Sequence, residues 1–172
     1  MSSHRTRRAL LGTVGAALAG GCLSGGSGTA TPHGPKTYGI AVHNRIGPDD
    51  FERATHQPEP EPAVVHLRVT TIGGESHETL FERTVEVDPG GSETVSEAFT
   101  TEPDGPTYAM NARVEPFSED TTAREEMRQE GLTFSHRGSN APTDPIPVIV
   151  DEFRNAPMLT PTIDVRRTAS EE

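Results

Sequence analysis

The chain has 172 residues, of which 15 are Lys or Arg and 26 are Asp or Glu, giving a formal net charge of −11. This acid excess argues against nucleic acid and anionic membrane surfaces as binding partners, because both demand positive patches. Hydrophobic residues make up only 31% and aromatics 5%, with no tryptophan, which points to one domain with a modest core and away from a large enzyme fold.

Residues 1–8 contain Arg5, Arg7 and Arg8 and no acid, and the run from Ala9 to Gly21 carries no charge. That is a charged leader followed by an apolar segment. The run of 13 residues is shorter than the roughly 20 helical residues that cross a bilayer core of about 30 Å, so a permanent spanning helix is not expected. Thr6-Arg7-Arg8, followed by Leu10 and Leu11, resembles the twin-arginine signal that exports folded proteins. Leu18-Ala19-Gly20-Gly21-Cys22 resembles a lipobox, with Ala19 where a large apolar residue is usual and Leu18 one step earlier. These resemblances imply that 1–21 is a removed signal peptide and that Cys22 becomes the lipidated first residue. Cys22 is the sole cysteine, so no internal disulfide can form.

Loss of the three leader arginines leaves 12 basic residues against 26 acids, a balance of −14, and Lys36 is the only lysine. An acidic, lysine-poor, Gly- and Pro-rich exported chain resembles the small lipoproteins of salt-loving archaea. The resemblance implies a protein held to the outer face of the cell membrane by a lipid on Cys22. Its surface carboxylates would keep the fold hydrated in concentrated salt, where their repulsion is screened.

Residues 22–36, with Gly25, Gly26, Gly28, Pro32, Gly34 and Pro35 among Ser and Thr, read as a flexible tether. Residues 37–168 read as one domain, and 169–172 as an acidic tail. Tyr38, Ile40 and Val42 alternate as a first strand. Asn44 to Pro62 breaks into turn residues, among them Gly47-Pro48-Asp49-Asp50 and the Pro58-Glu59-Pro60-Glu61-Pro62 run, an extended stiff connection. Ala63 to Ile72 is the clearest strand, with Val65, Leu67 and Val69 on one face. After Gly73-Gly74, His77 to Val87 forms its hairpin partner. A three-residue loop, Gly73 to Glu75, predicts Leu67 opposite Phe81 and Val69 opposite Thr79, with a glycine at positive φ. That register leaves Arg83 on the buried parity, to be absorbed by a bulge or an edge position.

Asp88-Pro89-Gly90-Gly91 suits a type II turn with Gly90 at the positive-φ site. Thr94 to Phe99 reads as a strand with Val95 and Phe99 inward, and Thr107 to Val114 as another with Tyr108, Met110, Ala112 and Val114 inward. Ser118 to Glu130 reads as a short surface helix, with Ser118 as N-cap, Glu119 and Asp120 in its first turn and Gly131 as C-cap. Leu132 and Phe134 return as a strand, Gly138 to Pro147 reads as loop, and Val148 to Phe153 and Thr162 to Val165 complete about seven strands of an antiparallel sandwich.

This order resembles the immunoglobulin-like sandwich domains of exported archaeal proteins. The carrying residues are Val42-His43-Asn44, the hairpin from Val64 to Val87, the Asp88–Gly91 turn with Ser92, and the strand from Pro106 to Val114. The buried tryptophan and paired cysteines of true immunoglobulin domains are absent, so the resemblance implies architecture and no functional residues.

No pattern of catalysis stands out. A blue-copper site needs a thiolate, and Cys22 is spent at the anchor. There is no Gly-x-Ser-x-Gly elbow, no calcium loop and no Gly-rich phosphate loop after a strand. Adjacent acids such as Glu125 and Glu126 diverge on a helix and do not form an acid–base pair. The expectation is therefore a non-catalytic binding or structural module without cofactor. Its partners are the membrane, through Cys22, and another envelope component, met at a patch containing exposed Tyr38, Phe51, Phe117 or Met158. The alternative is a metal-carrying or enzymatic surface protein, which requires two of His43, His66, His77 and His136 in one pocket.

Overall fold

Apolar residues at every second position make strands, because successive side chains in an extended chain point to opposite faces. The computed structural model describes residues 34–54, 59–73, 77–117, 128–153 and 159–168. Arg7, Arg8 and Cys22 lie outside the described residues. Eight strands are described: β1 (Lys36–Asn44), β2 (Ala63–Ile72), β3 (Thr79–Val87), β4 (Ser92–Thr101), β5 (Thr107–Val114), β6 (Gln129–Ser135), β7 (Ile146–Glu152) and β8 (Pro161–Val165). They form two four-stranded sheets, ordered β4-β1-β7-β8 and β3-β2-β5-β6. The fold is the β-sandwich expected from the alternation.

The core lies between the sheets. From one come Tyr38, Ile40, Val42, Phe99, Ile146, Val148 and Val150, and from the other Val65, Leu67, Val69, Met110, Val114 and Phe134, all buried. Its centre is aromatic. Tyr38 stacks on Phe99 at 5.4 Å between ring centroids and meets Phe134 edge-on at 5.7 Å. Phe134 also stacks on Tyr108, at 5.7 Å. Offset and edge-on pairs of this kind add to the burial itself, so truncating Phe134 to alanine costs about 3–5 kcal/mol.

Six strands follow immunoglobulin connectivity. Taking β1, β2, β3, β4, β5 and β6 as strands B, C, C′, E, F and G reproduces the B–E, C–C′, C–F and F–G neighbours. Tyr108, near the start of the F-like strand, accepts a hydrogen bond at its hydroxyl from Glu102 N–H at 3.0 Å. That contact matches the tyrosine corner of such sandwiches, and Met110, two residues on, is fully buried where they carry a cysteine. The departure is β7, which pairs parallel with β1 on the side where an antiparallel sandwich would place strand A.

Several expectations are corrected. Pro48–Arg53, expected as turn, is a short helix, α1. The same residues that signal a turn also start a helix: Pro48 at its first position and Asp50, whose carboxylate accepts the Gly47 N–H at 2.7 Å. Phe51 on α1 is only 2% exposed and meets Phe117 edge-on at 5.1 Å. Of the helix expected over Ser118–Glu130, residues 118–127 lie outside the described residues, while Gln129, Glu130 and the expected cap Gly131 belong to β6. Ile146 and Pro147, expected as loop, open β7.

The β2–β3 hairpin is shifted by two residues. Leu67 faces Arg83 and Val69 faces Phe81, with an irregularity at Val69–Thr70. The connection runs from Gly73 to Glu78, with Gly73 at φ 111°. Its far end is closed by Thr71, whose hydroxyl accepts the Glu78 N–H at 3.0 Å. A two-residue shift preserves parity, so the apolar face survives, and Arg83 stays exposed because β3 is an edge strand. The Asp88–Gly91 turn forms as expected: Gly91 N–H donates to Asp88 O at 2.8 Å and Gly90 has φ 71°.

The two tyrosines differ in one respect. The Tyr38 hydroxyl is buried with no hydrogen-bond partner, whereas that of Tyr108 holds Glu102. Tyr38→Phe should therefore stabilise the fold by about 1 kcal/mol and Tyr108→Phe destabilise it by a similar amount. Urea midpoints of the two variants check this, and a loss of stability in Tyr38→Phe would contradict it.

Candidate functional site

The outer faces of the two sheets carry the exposed polar residues of the strands, and each has a hollow. On the β4-β1-β7-β8 sheet, Ala41 and His43 point away from the core because Ile40, Val42 and Asn44 point into it. The registers place Pro147 beside Ala41, and Ser92 and Ile149 beside His43. His43, Ser92, Pro147 and Ile149, with Asn44, Arg45, Gly90, Gly91 and Arg166, line a hollow of about 460 Å³. Pro147 and Ile149 form an apolar floor, Ile149 being only 6% exposed. Its lining includes two arginines and a histidine and no carboxylate.

The rim is fixed by main-chain bonds. Arg45 N–H donates to Val150 O at 2.8 Å, Gly90 N–H to Ile46 O at 2.9 Å and Arg166 N–H to Pro147 O at 3.0 Å. Asn44, 2% exposed, is the pin at this corner. Its Nδ2 donates to Val87 O and Asp88 O at 3.1 and 3.2 Å, and its Oδ1 accepts the Ile46 N–H at 3.2 Å. The Arg166 Nε donates to Asp164 Oδ2 at 2.7 Å. Among the described residues the exposed Arg45 guanidinium makes no hydrogen bond or ion pair.

The second hollow, of about 710 Å³, lies on the outer face of the β3-β2-β5-β6 sheet. Register aligns Thr84, His66, Arg113 and Gln129 in one row and Glu82, Arg68 and Asn111 in the next. Here the charges are mixed, with Glu82 among Arg68, Arg83 and Arg113, and His66 and Arg68 are bonded to neighbours. His66 Nε2 lies 2.6 Å from Glu115 Oε1 and its Nδ1 lies 3.0 Å from Thr84 Oγ1, while Arg68 donates to Thr79 Oγ1 at 3.0 Å. Such cross-strand pairs are what a solvated sheet face builds for itself.

The histidines do not converge. His43 lines the first hollow and His66 the second. His77 Nδ1 lies 3.0 Å from Thr71 O, and His136 Nδ1 lies 2.8 Å from Thr101 Oγ1. Among the described residues no three of His, Cys, Asp and Glu are grouped to hold a metal. The expected patch of exposed aromatics is corrected too. Tyr38 and Phe51 are core residues and Phe117 is partly buried against them, while Met158 lies outside the described residues. No described helix is long and apolar enough to cross a membrane.

Comparison with protein-family profiles, with curated proteins and with solved structures gave no match to this chain. The arginines of the first hollow escape sequence reading because Arg45 and Arg166 are about 120 residues apart and come to one hollow through the β1–β7 and β7–β8 pairings. The one available signal was Asn44, a polar residue at the buried parity of an apolar strand.

Asn44→Asp keeps the side-chain shape but loses both donors and sets a carboxylate against two carbonyls. It should destabilise the fold by about 2–3 kcal/mol, read from the denaturant midpoint. A midpoint unchanged from the parent protein would show that the corner does not depend on this amide.

Proposed function

We propose that this protein is an exported lipoprotein, anchored by a lipid on Cys22 at the outer face of the cell membrane and presenting a non-catalytic β-sandwich as a binding or structural module. The observation that carries the reading is the placement of the only cysteine directly after the uncharged run that Arg7 and Arg8 introduce. Export routes, lipid attachment and tether then follow in chain order. Twin-arginine export carries folded proteins, and a sandwich built from pairings distant in sequence is slow to fold, which suits folding before export. The expected tether, 22–36, gives up Lys36 to β1, so the 14 residues 22–35 run from the anchor to the first strand.

The acidic surface fits the same setting. With a balance of −14 after the leader, the domain repels other acidic proteins and nucleic acid alike, so its partners are the membrane, through the lipid, and a component of the cell envelope. Cys22→Ser is expected to move the protein from the membrane fraction into the medium with its sandwich intact. Replacing Arg7 and Arg8 together by lysine should leave the uncleaved chain inside the cell. Full membrane retention of Cys22→Ser, or parent protein found in the cytosol with its leader intact, would overturn the proposal.

A further inference from the structure

We infer that the hollow on the outer face of the β4-β1-β7-β8 sheet binds a small carboxylate-bearing ligand with a compact apolar body, which rests on reading the sandwich as a binding module. The first ground is a local reversal of charge. The chain carries 14 more acids than bases after residue 21, yet the lining of this hollow includes His43, Arg45 and Arg166 and no Asp or Glu. Asp164 lies beside the rim and is engaged by the Arg166 Nε at 2.7 Å, which compensates Arg166 in part. Arg45 has no such neighbour among the described residues.

The second ground is chemistry. A guanidinium presents paired N–H donors that match the two oxygens of a carboxylate, and here it stands at the edge of an apolar floor made by Pro147 and Ile149. An apolar floor with a few placed polar groups is the usual make-up of a small-molecule site, and about 460 Å³ falls within the usual range of about 300–1,000 Å³. Inorganic phosphate would leave that floor uncovered.

The third ground is preorganisation. The main chain of Arg45 and of the Gly90–Gly91 turn is held by bonds to Val150 and Ile46 and by the Asn44 pin, so the ordering that binding requires is confined to the Arg45 side chain. The site also sits at the Asn44 end of β1, while the tether joins at Lys36. Eight strand steps at about 3.3 Å each separate the two ends by about 26 Å.

The test is calorimetric titration of the full-length protein, in KCl sufficient to keep the fold intact, with hexanoate and benzoate, and with hexanamide, benzamide and inorganic phosphate as comparisons. The carboxylates should bind and the amides and phosphate should not. Arg45→Gln should weaken carboxylate binding about tenfold at unchanged unfolding temperature, Arg45→Lys should weaken it less, and Arg68→Gln on the opposite sheet should leave it unchanged. Amides binding as tightly as acids, phosphate binding in their place, no binding at all, or equal losses in Arg45→Gln and Arg68→Gln would overturn the inference. Cys22→Ser protein should bind as the parent does, so failure of the anchor and failure of the hollow are read separately.

Discussion

The fold depends on satisfying one strand on every side. β1 carries the aromatic Tyr38 into the core and is flanked by β4 on one edge and β7 on the other, so from Ile40 to His43 it is paired in both directions, while the Gly39 N–H is taken by the Asp144 carboxylate. Because β4 follows the β2–β3 hairpin and β7 follows β6, closing those two edges obliges the chain to cross between sheets repeatedly. The inter-sheet core, the tyrosine corner at Tyr108 and the Asn44 pin all follow from those crossings. Remove the two flanking strands and β1 becomes an exposed apolar edge, the arrangement that sandwiches avoid.

Period-two alternation made much of this legible. β5 matches its expected bounds, Thr107–Val114, with Tyr108, Met110, Ala112 and Val114 all buried. The Gly90 turn was legible too, because only a positive-φ residue completes a type II turn after Pro89. The hairpin register was not. Two registers differing by two residues bury the same face, and alternation cannot choose between them. Helix α1 was hidden because six residues are too few to show a helical period, and its Gly, Pro and Asp signals serve turns equally well. The parallel β1–β7 pair was hidden because nothing local announces a partner that lies more than 100 residues on.

The candidate site was less legible than the fold for the same reason. His43, Arg45 and Arg166 carry no motif, and their proximity is a product of strand order alone. The histidines, which stood out in the sequence, are spread over separate neighbours: Glu115 and Thr84 for His66, Thr71 for His77, Thr101 for His136. The sandwich uses its polar side chains mainly to tie loops to strands, leaving two shallow outer faces for contact with the surroundings. Among the described residues the hollow on the β4-β1-β7-β8 sheet joins His43, Arg45 and Arg166 to an apolar floor with no carboxylate in its lining, whereas the other holds Glu82 among its arginines.

The lipid at the only cysteine is the claim that gives the rest its setting. Intact-mass spectrometry of the protein extracted from membranes tests it most directly. A chain beginning at Cys22 with added lipid mass on that residue is the predicted result; a chain beginning at Met1, or one cleaved elsewhere with an unmodified thiol, would contradict it.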